Sequence, residues 1–312
     1  MSFRAWLLVA LTALLGACQS MPPPVPEEAA QQTRIATPFF PQQDYQCGPA
    51  ALATVLGWSG LDVDDQQLVE EVWLPNRRGS LALEMNAAAR ARGRLVYPIN
   101  TPEQLFISLH HQQPVLVMQN LALERWPRWH FAVVTGYRDD GNTLVLNSDT
   151  RENLQVAWNR FVRTWARARY QGWLVLPPGE LPAQAAAIPL VQSLEDLART
   201  AGPEMADPFW HPAAARFSDS FLMQFAYGNH LWATGKADEA IKAFRQATQI
   251  RPDDPAGWQN LIIALHRSGC ARAARQALEQ GRDTMGSTSL SEDLLSPHPG
   301  PKNTDSCPPG SP

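Results

Sequence analysis

The sequence predicts an α+β domain followed by an all-α module, and three observations carry that expectation. Over residues 34–178, helix-patterned stretches come first and strand-patterned runs later, the order of helices beside an antiparallel sheet. Past Phe221, small and apolar positions return at one period of about 34 residues, the length of a two-helix repeat. A chain of 312 residues with 45% hydrophobic content can also supply two modest cores.

The chain opens with an export signature. Arg4 precedes an apolar run from Ala5 to Leu15, and small residues lead up to Cys18. The run is too short for an ordinary membrane span. Leu15-Gly16-Ala17-Cys18 resembles the bacterial lipobox, which implies cleavage before Cys18 and a lipid on that cysteine. Gln19 follows where an aspartate would signal retention, so the resemblance implies the bacterial cell envelope, at the periplasmic face of the outer membrane. The expected boundaries are a lipoprotein signal peptide over 1–17 and a Pro/Glu/Ala/Gln-rich tether over 18–33. The α+β domain follows over 34–178, then a linker with a helix over 179–217, two repeats over 218–284 and a disordered tail over 285–312.

Within the α+β region, residues 48–57, 65–72, 80–92 and 102–111 are helix-like. Residues 114–120, 130–137, 143–147 and 172–176 are strand-like, and Asp139-Asp140-Gly141-Asn142 carries hairpin-turn chemistry between two of them. Cys47 stands directly before the first helix. Pro49 suits the opening turn, where a missing N–H costs nothing, and Ala50, Ala51, Leu52, Ala53 and Leu56 continue the helix. A thiol at a helix N-terminus sits in the positive end of the macrodipole, which favours thiolate and hence nucleophilicity. Cysteine is also among the most buried residue types, and a lone histidine before an apolar strand is usually structural. The argument therefore rests on Cys47, His130, Gln42 and a hairpin-borne acid taken together.

Gln42 and Gln46-Cys47-Gly48-Pro49-Ala50-Ala51-Leu52, with Trp129-His130-Phe131-Ala132-Val133-Val134-Thr135-Gly136-Tyr137, resemble the bacteriocin-processing (double-glycine leader) cysteine peptidases. These are compact members of the papain-like group. Arg78-Gly79-Ser80-Leu81 ahead of Ala87-Ala88-Ala89-Arg90 resembles a helix entry common in that family. The resemblance implies a papain-like domain in which Cys47 forms a thioester with the substrate. It implies that His130 takes the thiol proton and returns it to the leaving amine. It also implies that the Gln42 amide, with the Cys47 N–H, holds the oxyanion. The family places an aspartate, often followed by proline, near the end of the strand after the histidine strand. Here Asn147-Ser148-Asp149-Thr150 stands there without a proline. Asn147 and Asp149 share strand parity, so both are candidates to orient His130, with Asp149 favoured. The family preference for leaders ending in Gly-Gly is not carried over, because those peptidases sit on transporters and this chain looks exported.

In the C-terminal region, Leu231 aligns with Leu265, Gly235 with Gly269, Ala240 with Ala274 and Phe244 with Leu278. This pattern resembles tetratricopeptide repeats, which bind protein segments and carry no chemistry. Ala240 and Ala274 would let paired helices approach, and Phe244 and Leu278 would fill the space between them.

A net charge of −4 excludes an electrostatic case for nucleic acid. No CxxC or HxxxH spacing appears, His110-His111 reads as an exposed doublet, and no cofactor or metal is called for. Of the four cysteines, Cys18 and Cys47 have assigned roles, and Cys307 lies in a Pro/Gly/Ser-rich tail, so no structural disulfide is expected. The resulting expectation is a membrane-anchored papain-like cysteine peptidase acting on a peptide or protein, with repeats for a protein partner. The alternatives are a non-catalytic binding lipoprotein with a degenerate site, and an amidase or acyl transferase on envelope peptides.

Overall fold

The computed structural model describes residues 23–29, 32–43, 46–77, 79–286, 290–296 and Cys307. The signal segment, Cys18 and its lipobox, Arg78 and most of the tail lie outside them. No helix among the described residues is long and apolar enough to cross a membrane.

Helices α1 (Cys47–Trp58), α2 (Asp65–Val72), α3 (Ala82–Ala91) and α4 (Pro102–His110) form close to where the sequence places them. Helix α1 is buried over most of its length from Gly48 to Leu56, which is why its apolar residues run all round it rather than along one stripe. Helix α2 starts where the Asp64 carboxylate accepts the N–H groups of Gln66 and Gln67. In α4, Thr101 caps Gln104 N–H and Pro102 fills the first turn. Short strands β1 (Thr33–Arg34), β2 (Trp73–Leu74) and β3 (Gly79–Ser80) are interleaved with these helices.

The longer strands are β4 (Leu95–Ile99), β5 (Val115–Asn120), β6 (Trp129–Arg138), β7 (Thr143–Ser148), β8 (Arg151–Ala157) and β9 (Gly172–Leu176). They form an antiparallel sheet in the order β4-β9-β5-β6-β7-β8, with β1 added beside the far end of β6. Alternation along the strands divides the core in two. Val96, Leu116, Phe131, Val133, Trp173 and Val175 face α1, α2 and α3. Their neighbours Tyr97, Val115, Val117, Ala132, Val134 and Leu174 face the opposite layer. That layer contains α4 and α5 (Trp158–Ala166), whose Phe106, Trp158 and Phe161 pack against it. Strands covered on both faces read as continuous apolar runs, which explains why 114–120 and 130–137 stand out in the sequence.

Gly136 marks the close approach of β1 to β6. A Cβ there would stand 2.2 Å from the Thr33 carbonyl oxygen, so no other residue fits without displacing backbone. Gly136→Val is expected to destabilise the fold by about 1–3 kcal/mol, read as a lower urea midpoint, because overpacking must move β1. That strand begins the segment carrying Gln42.

Residues 179–217 depart from the expectation of a linker with one helix. They hold two helices, α6 (Ala187–Ala201) and α7 (Pro203–Arg216), and both contribute to the sheet's second layer through Leu190, Leu194, Leu197, Phe209 and Trp210. Ala186 N–H donates to the Tyr97 hydroxyl at 3.1 Å, and the Gln113 amide donates to Leu181 O and accepts from Ala183 N–H. An apolar face that packs on a β4 tyrosine is core, and the Pro/Ala content that suggests a linker reflects only the turn before α6.

Helices α8 (Phe221–Ala233), α9 (Ala237–Ile250), α10 (Pro255–Arg267) and α11 (Ala271–Met285) complete the chain as two helical hairpins. Ala240 and Ala274 are fully buried, and a Cβ on Gly228 would lie 2.5 Å from the Phe244 ring, so the small residues permit the close helix contact. Asp207 of α7 accepts from His230 on α8 and from Lys236 before α9, tying the hairpins to the preceding layer. Two expectations for the tail are corrected. Cys270 and Cys307 form a disulfide, with Cys270 at the N-cap of α11 and the two Cα atoms 5.8 Å apart, within the span a disulfide bridges. Leu290, which is buried, and the turn Glu292–Leu295 pack on the last helices, with Arg282 donating to Leu290 O, so this part of 285–312 is ordered.

Candidate active site

Cys47 is the first residue of α1 and the free cysteine among the described residues. Its position follows from the helix it opens. Gly48 lets α1 close on β3, since a Cβ there would meet Ser80 Oγ at 2.5 Å. The β6–β7 ladder ends at Val133 and Asn147, so His130 and Phe131 stand past it and open onto the same cleft as Cys47. The cleft has a volume of about 1090 Å3, and Gln42, Cys47, His130, Ser148 and Asp149 all line it. Five separate parts of the chain thus meet: the loop before α1, α1 itself, β6, the end of β7 and the turn after it.

The protonation states differ from the expectation of a helix-activated thiolate. Burial pushes the Cys47 thiol up, outweighing the backbone N–H groups of Phe131, Gly48 and Cys47 that favour thiolate, and the Asp149 charge adds to the rise. Burial also lowers His130, opposed by Asp149 and reinforced by Arg128 and Arg151. Near neutral pH the resting pair is therefore thiol and imidazole. No hydrogen bond joins them, and such bonds commonly tighten only when substrate is bound. The alkylation rate of Cys47 by a neutral reagent is expected to keep climbing at pH values where an ordinary cysteine has reached its plateau. A rate profile across alkaline pH checks this; a plateau below the ordinary thiol range would contradict the burial argument.

His130 Nε2 lies 2.8 Å from Ser148 Oγ, and neither candidate chosen from the sequence occupies that place. Asn147 is used by the fold: its amide donates to Thr37 Oγ1 and accepts the Asn153 N–H. Asp149 acts on His130 through its charge, and its carbonyl accepts the Gln42 N–H at 3.2 Å. Strand parity fails here because the extended conformation stops at Ser148. Asp149 has φ of 61°, a left-handed turn position that Asp tolerates, and Ser148 pairs with Arg151 across the two-residue turn. Four consecutive turn formers, Asn-Ser-Asp-Thr, were the signal for this.

Gln42 is held by its backbone only. Its side-chain Oε1 is buried with no hydrogen-bond partner among the described residues, as is Ser80 Oγ, which also lines the cleft. Burying an unpaired polar atom costs about 1–3 kcal/mol, which marks both as groups the fold itself does not use. Trp129 lines the cleft and is 51% exposed, and Trp126 on the adjoining hairpin is 71% exposed. Trp73 lies on β2, away from the cleft lining.

Residues 34–173 match the model of the "Peptidase_C39 like family", and residues 231–289 match that of the "Tetratricopeptide repeat". No curated protein sequence matches the chain. Among solved structures, a double glycine motif protease from an AMS/PCAT transporter, in complex with its leader peptide, is 21% identical, with a TM-score of 0.36 over 47% of this chain and 99% of the other. A putative C39-like peptidase from Bacillus anthracis is 16% identical, with a TM-score of 0.39 over 47% of this chain and 98% of the other. The peptidase domain of Streptococcus ComA, a bifunctional ABC transporter of a quorum-sensing pathway, is 25% identical, with a TM-score of 0.38 over 45% of this chain and 97% of the other. Residues 34–173 of this chain are thus similar to the Peptidase_C39-like family, and residues 231–289 are similar to tetratricopeptide repeats.

Proposed function

We propose that this chain is an exported, lipid-anchored cysteine peptidase that cleaves peptide bonds through a Cys47 thioester. The observation that carries the reading is the convergence on one cleft of a free thiol at the start of α1, an imidazole on β6 and, from the loop before α1, a glutamine whose side-chain oxygen has no partner among the described residues. In the reaction, Cys47 Sγ attacks the scissile carbonyl carbon as its proton passes to His130. The C–N bond breaks when His130 returns that proton to the departing amine, and water then hydrolyses the thioester with His130 as base. Ser148 on Nε2 leaves Nδ1 for the thiol proton, and Ser148 Oγ accepts from Nε2–H in the imidazolium that forms. The Asp149 charge stabilises that cation. The Gln42 amide and the Cys47 N–H face the oxyanion.

Export is supported by the apolar run before Leu15-Gly16-Ala17-Cys18 and by the Cys270–Cys307 disulfide, which suits an oxidising compartment. A lipid on Cys18 would hold the peptidase at the periplasmic face of the outer membrane, and the repeats would present a protein-binding surface. Incubation of the purified full-length chain with a peptide library, followed by mass spectrometry, tests the reading. Cleavage that survives Cys47→Ala would overturn it.

A three-variant series separates the groups around His130. Ser148→Ala and Asp149→Asn are each expected to lower kcat roughly ten- to a hundred-fold while moving KM little, one through orientation and the other through charge. Asparagine keeps the left-handed turn residue, so Asp149→Asn leaves the Gln42 tie in place. Asn147→Ala is expected to lower the melting temperature and to retain kcat per folded molecule, since its contacts are to Thr37 and Asn153.

A further inference from the structure

We infer that the cleft selects substrates bearing a carboxylate on the leaving-group side of the scissile bond, held by Arg128 and Arg151 next to His130. The inference rests on the peptidase reading above and adds the substrate class. The cleft lining carries three guanidinium groups, Arg128, Arg151 and Arg160, against the single carboxylate of Asp149, although the whole chain has a net charge of −4. None of the three arginines makes an ion pair or a side-chain hydrogen bond with a described residue, and all three are exposed. Elsewhere the arginines Arg90, Arg92, Arg199, Arg251 and Arg282 are paired with carboxylates. Other arginines, among them Arg34, Arg125, Arg138 and Arg245, also make no ion pair with a described residue, so what sets the cleft apart is the gathering of three guanidinium groups about one carboxylate.

Their placement gives the direction. Arg128 and Arg151 are close enough to His130 for their charges to act on its ring. His130 returns its proton to the departing amine, so groups beside it face the leaving-group side of the substrate. Both arginines are carried on fixed backbone. The buried side chain of Asn120 accepts the N–H groups of Arg128 and Ala122, stitching the hairpin between β5 and β6. Arg151 pairs with Ser148 at the mouth of the turn that supplies the Nε2 partner of His130. A guanidinium presents its N–H groups in a planar fork that matches a carboxylate, and two of them on the cleft that holds His130 suit an anion far better than an amide. The half-exposed Trp129 between Arg128 and His130 adds an apolar wall beside them. The carboxylate can belong to an acidic side chain just after the scissile bond or to the free C-terminus of a short leaving peptide.

The test uses the purified full-length chain and three peptides that share one acyl side. One has Glu after the scissile bond with an amidated end, one has Gln there with an amidated end, and one ends in a short free-acid leaving group. Either carboxylate peptide is expected to exceed the Gln peptide by roughly ten-fold in kcat/KM, an advantage that shrinks at high salt. Arg128→Gln/Arg151→Gln brings the ratio to about one, whereas Arg138→Gln, at the far end of β6, keeps it. Equal kcat/KM for all three peptides with the unmodified chain overturns the inference. Anisotropy of the same peptides on Cys47→Ala reads the preference without turnover. Preferential binding without cleavage by the unmodified chain would sink the peptidase reading alone, and equal affinities would sink this one.

Discussion

Cys47→Ala and His130→Ala are each expected to lower peptide cleavage by at least about a thousand-fold, and the double variant is expected to be no slower than the worse of the two. Groups that act in one proton transfer are not additive: once the thiol is gone, the base has nothing to deprotonate. The structure sharpens this expectation. Burial raises Cys47 and lowers His130, so the resting site holds no preformed ion pair and depends on His130 at the moment of attack. A thiolate activated only by the helix N-terminus would instead keep appreciable activity in His130→Ala. Initial rates of one cleavable peptide with the three variants, alongside circular dichroism to confirm folding, distinguish the two.

Gln42→Ala is expected to lower kcat by roughly a hundred- to a thousand-fold with KM nearly unchanged, the effect of losing one donor that acts on the oxyanion. Thermal stability should stay close to that of the parent chain. The Gln42 side chain makes no hydrogen bond with a described residue, and its backbone tie to Asp149 O does not depend on the side chain. This pairing of a large kinetic effect with a small stability effect is diagnostic. A residue kept for packing would show the reverse. Gln42→Glu is expected to resemble the alanine variant, because a carboxylate supplies shape and no donor, and adds repulsion toward the oxyanion.

Much of this arrangement was legible in the residues, and the reasons are local. Pro49 and the alanines after it specify α1 wherever they are placed, so a cysteine at its first residue can be read directly. Strands β5 and β6 are covered on both faces and announce themselves as unbroken apolar runs. The 34-residue period survives because Ala240 and Gly228 are set by contacts within one hairpin.

What escaped the sequence depends on contacts between distant segments. Helices α6 and α7 look like a Pro/Ala-rich connection until Tyr97 and Gln113 supply the partners that make them core. Ser148 was passed over because strand parity assumes that the strand continues through Asp149, and the chain turns there instead. The thiol's electrostatics went the same way. Helix position favours thiolate by an amount visible in sequence, whereas burial, which outweighs it, exists only after folding. The Cys270–Cys307 disulfide and the unpaired arginines of the cleft likewise depend on how the chain is arranged in space, which spacing alone does not encode.

The central claim is that Cys47 becomes covalently acylated while cutting a peptide. Acid quenching of the full-length chain during turnover, followed by digestion and mass spectrometry, measures it directly. The expected result is the acyl half of the substrate on Cys47 in the unmodified chain and no adduct in His130→Ala. Turnover with no adduct on Cys47 at any time point, together with undiminished cleavage by Cys47→Ala, would contradict the account.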